Sequence, residues 1–206
     1  ERLGLPILPS GAFYRVCGFM ADAAGIPPHP SAALNRFLTE FPSRLAVRSL
    51  EPAHFLWDSQ DVSDVLNSAR AGECASLYGE LAEVRTALNL IFRSQLLHGG
   101  VAEGRDMGSV IFPNADLKVF LTATLEERAL RRWRQEQRQD DTLLLYPSLD
   151  NDPSFALVLD EMSRRDGRDS SRKVAPLIIP SGAYVIDSTG TTVSLVVDQI
   201  VALVTS

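Results

Sequence analysis

The stretch VAEGRDMG, residues 101–108, places Glu103, Arg105 and Asp106 directly after a short apolar run, with only Gly104 between. A carboxylate there offers a fixed hydrogen-bond acceptor, and a guanidinium offers a planar fork of donors suited to a carboxylate or a phosphate. Two further stretches repeat the combination: PSGAFYR at 9–15, and RRDGRDSSRKVAP at 164–176. Read singly, an Arg-Asp pair after a strand is a structural ion pair, and an Arg/Asp-rich helix end is a solvated face. Basic clusters such as RALRRWRQEQR stand out because the chain carries a formal net charge of -6. That balance argues against nucleic acid and for a small anionic ligand.

These charges must be positioned by regular elements. LPIL at 5–8 reads as a strand, and Ser10 as the cap of a helix ended by Gly25 and the Pro27-Pro28 pair. A second helix is expected from Ser31, followed by the alternating segments RLAVRS, HFLWD and QDVS as a small antiparallel sheet. Residues 64–97 read as helix in two pieces broken near Ala71-Gly72 and lead to a buried strand at VAEG. LKVFLTAT at 117–124 is another strand, and Thr124 with Glu127 forms a capping box for a basic helix. Residues 139–152 read as a mobile polar segment, FALVLDEMSRR as a helix, AYVID as a fourth strand and TVSLVVDQIVALV as a closing helix. Short apolar strands alternating with helices predict an α/β protein whose parallel sheet is flanked by helices, with ligands at the carboxyl ends of the strands.

Other chemistries are not supported. His29, His54 and His98 have neither metal spacing nor a nucleophile motif, and Cys17 and Cys74 read as reduced thiols of a cytoplasmic protein. No metal site is expected from the side chains. No secretory signal is visible, and VSLVVDQIVALV is interrupted by Asp198 and Gln199 and falls short of the roughly 18 residues of a membrane span.

In their order along the chain, SGAFYR, GRDMGSVIFP, LEERALRR and RDGRDSSRKVAP resemble the cytidylate kinases, bacterial nucleoside monophosphate kinases with a P-loop fold. The resemblance runs from Glu1 to the C-terminus. It implies one kinase domain over 1–206, with a core at 1–30, 98–130 and 167–206, a nucleotide-binding insert at about 31–97 and a lid at about 131–166. It implies transfer of a phosphoryl group from ATP to CMP or dCMP with Mg2+, by a cytoplasmic monomer without nucleic-acid or membrane partners. Cytosine presents an amine beside ring acceptors, so a reader needs an acceptor and donors. By match to family positions, Asp106 takes the amine, Ser76 and Arg85 supply donors, and uracil is repelled by Asp106. Likewise Arg15, Arg105 and Arg172 grip the monophosphate, Ser10 and Tyr14 belong to the substrate-binding set with Tyr14 as core or wall, Arg165 and Asp169 hold the ribose, and Arg128, Arg131 and Arg132 close over the triphosphate. The catalytic guanidiniums so implied are Arg15, Arg105, Arg128 and Arg172.

Three departures bear on the phosphates. No G-x-x-x-x-G-K-[ST] occurs in the chain, Pro9 stands where the family has aspartate, and Asn67 where it often has arginine. The chain also opens without methionine, so the natural polypeptide is expected to begin earlier, with the glycine-rich loop upstream. Two alternatives remain beside the kinase: a degenerate homologue that binds CMP without catalysis, and a sibling kinase acting on another small acceptor.

Overall fold

A computed structural model describes residues 2–50, 52–137, 152–171 and 177–205. The chain divides into two compact units, Glu1–Phe112 and Pro113–Ser206.

In the first unit, strand β1 (Ile7–Pro9) pairs in parallel with β5 (Val101–Glu103), setting Pro9 opposite Glu103. Helix α1 (Ser10–Ala23) follows β1 without a break. Ser10 is its first residue rather than its cap. The hydroxyl that could have capped the helix instead donates to the Glu103 carbonyl at 2.7 Å, tying the helix start to the end of β5. Helix α2 (Ala32–Arg44) starts where expected, because the Ser31 hydroxyl accepts from Leu34 N at 3.2 Å. Its Leu34, Phe37, Leu38 and Phe41 recur at helical spacing and form the buried stripe.

The predicted antiparallel insert is β2 (Leu45–Leu50), β3 (Ala53–Trp57) and β4 (Gln60–Asp61). Its tight turn uses positive φ at Asp58 and Ser59, and Arg44 both pairs with Asp58 and lies 4.4 Å from the Trp57 ring centre. A 3-10 turn at Ser63–Asn67 then leads to α3 (Ala69–Tyr78), capped by Ser68, and to α4 (Ala82–Gln95). The helical break therefore falls at 79–81, not at Ala71-Gly72. Gly72 takes no positive φ and stays within α3, and a Cβ there would meet the Arg15 guanidinium only at an ordinary contact distance of 3.7 Å.

The core of this unit is aromatic. Phe13 of α1 meets Phe55 of β3 and Phe92 of α4 edge to face, at 5.0 and 5.4 Å, and all three are fully buried. Each such ring contributes about 1.5–3 kcal/mol through burial alone. The cluster clamps the insert's sheet and α4 onto α1, so the residues those elements carry keep fixed places.

In the second unit, β6 (Val119–Thr122) pairs in parallel with β7 (Tyr184–Asp187). Helices α5 (Leu125–Glu136), α6 (Pro153–Ser171) and α7 (Val193–Thr205) complete it. Half of the expected capping box forms: Glu127 N donates to Thr124 Oγ1 at 3.2 Å, while the Glu127 carboxylate accepts from Arg131 at 2.8 Å. The small core joins Ala129, Leu130 and Trp133 of α5 to Val158 of α6.

Among the described residues each unit holds one two-stranded parallel sheet, β1-β5 in the first and β6-β7 in the second. VAEG is correspondingly less buried than its apolar run suggested, with Val101 and Glu103 exposed and Ala102 half-buried. The expected mobile segment at 139–152 lies almost wholly outside the described residues.

Candidate functional site

β5 ends at Glu103, and Gly104 turns the chain so that Asp106 points inward. Gly104 has φ of 155°, and a Cβ there would lie 2.2 Å from Ser10 Oγ and 3.1 Å from the Met107 side chain. The turn is thus built for glycine. Beyond it a single wide turn at Met107–Ile111 is closed by five-residue hydrogen bonds, from Ile111 N to Asp106 O at 3.2 Å and from Phe112 N to Met107 O at 2.7 Å. Such π-type turns are frequent at functional sites.

Asp106 is only 4% exposed, and its Oδ2 accepts from Arg85 Nη1 at 2.6 Å. Arg85, 6% exposed, comes from α4, and its guanidinium carbon lies 5.6 Å from the Tyr14 ring centre, with the Tyr14 hydroxyl 3.5 Å from Nη1. Tyr14 also packs against Phe92 at 5.9 Å between ring centres. Three elements remote in sequence therefore meet: α1 supplies a wall, α4 a guanidinium and the exit of β5 a carboxylate. Removing one partner of a buried ion pair leaves an uncompensated charge, so the pair holds each member in place whatever its net contribution.

Several polar atoms in this region are sealed from solvent and meet no hydrogen-bond partner: Ser76 Oγ on α3, and Arg85 Nε and Asn89 Oδ1 on α4. Buried groups of this kind are rare and invite an explanation such as a ligand. Sequence reading singled out Ser76 and Arg85 but missed Asn89. The available signal was a lone amide one helical turn beyond Arg85, on the flank of the stripe Val84, Leu88 and Phe92.

The remaining predicted residues fall into two groups. Arg15 in α1 donates from Nη1 to the Leu66 carbonyl at 2.6 Å and to that of Ser68 at 3.5 Å, so it braces the 3-10 turn that carries Asn67. Arg105 is half-buried beside Asp106. In the second unit Arg128 pairs with Asp166 at 2.7 Å and donates from Nε to the Ala123 carbonyl at 3.2 Å. Arg131 is occupied by Glu127, by Ser188 Oγ at 3.0 Å and by the Ser188 carbonyl. Arg132 is exposed. Arg165 and Asp169 belong to α6, and Arg172 lies outside the described residues.

Both cysteines are free and buried, and burial pushes the Cys17 thiol up to about 12 and raises that of Cys74. Among the described residues no group of three or more His, Cys, Asp or Glu is placed to hold a metal ion, and no helix is long and apolar enough to cross a membrane.

Parallel strands flanked by helices, an antiparallel insert and guanidiniums on helices near strand exits match one class of phosphotransferase, the P-loop nucleoside monophosphate kinases. A family model described as cytidylate kinase matches residues 1–206. A cytidylate kinase of Azotobacter vinelandii is 37% identical over 204 residues, covering 98% of this chain and 85% of the relative. That of Marinomonas sp. is 34% identical over 203 residues with the same coverage, and that of Nitrosococcus oceani 37% over 203 residues, covering 97% and 85%. The chain belongs to the cytidylate kinase family.

Proposed function

We propose that the protein transfers the γ-phosphoryl group of ATP to CMP or dCMP, reading the base with Asp106, Arg85 and Ser76. The observation that carries this is the buried carboxylate at the exit of β5, fixed by a guanidinium beside an aromatic wall. A cytosine amine entering there would donate to Asp106, and its ring nitrogen and carbonyl would accept from Arg85 and Ser76. Uracil would set a carbonyl against the Asp106 carboxylate. Arg15, Arg105 and Arg172 would take the acceptor phosphate with Ser10 and Tyr14 beside it, and Arg165 and Asp169 the ribose hydroxyls.

The donor side is assigned to Arg128, near the end of the core segment 98–130, and to Arg131 and Arg132 at the start of a lid at about 131–166, with the core and insert divided as the sequence suggested. The donor set fits: an arginine-rich helix offers an anionic triphosphate charge-assisted hydrogen bonds. Magnesium would travel on the phosphate oxygens, keeping several of its waters. Arg128 would have to exchange Asp166 for phosphate, a small cost for a half-exposed pair. Phosphoryl transfer asks mainly for positioning and charge neutralisation, which such a set supplies. The reading includes a cytoplasmic monomer.

A coupled assay of ADP release on the full reading frame tests it. CMP and dCMP should support turnover far above UMP, and equal turnover with UMP would reject the base assignment.

A second reading, binding of CMP without transfer, is favoured by Pro9. It stands at the end of β1 in line with Glu103 and supplies neither charge nor amide hydrogen. Calorimetry separates the two, since this reading predicts CMP binding without ATP binding.

A further inference from the structure

On α4, Asn89 lies one turn beyond Arg85, with Cβ atoms about 5–6 Å apart at that spacing. Its Oδ1 is an acceptor sealed from solvent without a donor, and Arg85 Nε is a sealed donor without an acceptor. Arg85 meanwhile spends Nη1 on Asp106 Oδ2, at 2.6 Å. The two unsatisfied atoms are complementary, and a turn of the guanidinium would let them meet.

We propose that Asn89 is a positioning residue for base recognition. When a pyrimidine enters, the Arg85 guanidinium pivots about its Nη1 contact with Asp106 Oδ2, its Nε–H donates to Asn89 Oδ1, and Nη2 is held toward the ring acceptors. Asp106 keeps its guanidinium on Oδ2 and offers Oδ1 to the exocyclic amine. Asn89 touches no ligand atom and acts through Arg85 alone. In the ligand-free protein the amide carries an unmet hydrogen bond, so this arrangement costs stability and favours the bound state. The proposal rests on the cytosine assignment made above.

Three measurements on the full-length protein test it: CMP affinity by calorimetry, UMP affinity by the same method, and ligand-free Tm. They are made on wild type, Asn89→Leu, Asn89→Asp, Arg85→Lys and the Arg85→Lys/Asn89→Leu double variant. Asn89→Leu should weaken CMP about tenfold, the size of one hydrogen bond to a charged group, and raise the ligand-free Tm by about 2–4 °C. Asn89→Asp, which keeps the acceptor, should bind CMP within about threefold of wild type. With Lys at position 85 there is no Nε to hold, so adding Asn89→Leu should change CMP affinity no further.

Unchanged CMP affinity in Asn89→Leu overturns the proposal, as does an equal loss on the Arg85→Lys background. A fall in both Tm and affinity assigns Asn89 a packing role and also overturns it. A wild-type protein that binds CMP no better than UMP rejects the cytosine assignment, and this inference with it, before any variant is compared.

Discussion

Two strands end in aspartates of opposite character. At the exit of β5, Asp106 is nearly sealed from water and faces a guanidinium from a remote helix. At the exit of β7, Asp187 is exposed and accepts from its own neighbour, Thr189, through Oγ1 at 2.6 Å and N at 2.9 Å. The hydroxyl bond from Thr189, then the amide bond, hold the Asp187 carboxyl below the usual carboxylate range. Position at the carboxyl end of a parallel strand therefore does not by itself fix an aspartate's surroundings. The difference lies in what surrounds it: buried polar atoms await partners near Asp106, whereas the turn at Asp187 satisfies itself locally.

The guanidiniums repeat the contrast. Arg85 is held in an aromatic-lined interior, while Arg128 and Arg131 are half-exposed and paired with carboxylates and carbonyls of their own unit. A buried pair gives rigid geometry. Half-exposed pairs exchange partners at small cost, in keeping with the donor-phosphate role proposed for Arg128 and Arg131.

The sharpest way to break the comparison is Asp106→Ala. It strands the Arg85 charge, so unfolding free energy should drop by about 3–5 kcal/mol in denaturant titration, and preference for CMP over UMP should vanish. Retained preference would show that Asp106 is as incidental to the base as Asp187.

Next in size is Gly104→Ala. Overpacking against Ser10 Oγ and Met107 should cost about 1–3 kcal/mol, and adding Ser10→Ala should recover part of it. An unchanged stability in Gly104→Ala would mean that the turn after β5 tolerates a side chain, and full additivity of the two changes that Ser10 is not what the added methyl meets.

Arg128→Ala should alter stability by no more than about 1 kcal/mol, yet raise the KM for ATP about tenfold while leaving CMP affinity unchanged. A large stability loss with unchanged KM would make Arg128 a structural charge.

The smallest effect belongs to Thr189→Val. Because the folded Asp187 carboxyl titrates below its unfolded value of about 3.9, its stabilisation is complete above that pH. It is lost as pH falls through the folded value. The variant should therefore be slightly less stable than wild type near neutrality, with the difference shrinking as pH falls below about 4. Urea titrations at pH 7 and pH 3 read the difference.

Much of this was legible in local pattern. The caps at Ser31 and Thr124, the antiparallel insert and the strands around residues 102, 120 and 185 follow from side-chain period and turn chemistry, which act over a few residues. Ser10 shows where that reasoning stops: a capping residue in the right place gave its hydroxyl to Glu103, 93 residues away. The helical break at 79–81 was missed because a glycine was read as a breaker, whereas Gly72 takes no positive φ and stays within α3.

Residue types and spacing were enough to name the charges and the family. Period-two and helical repeats set the elements, because those preferences are short-ranged. Only the folded chain decided which charge met which, because pairing Tyr14, Arg85 and Asp106 depends on packing Phe13, Phe55 and Phe92 together, and no local rule encodes a contact across 71 residues.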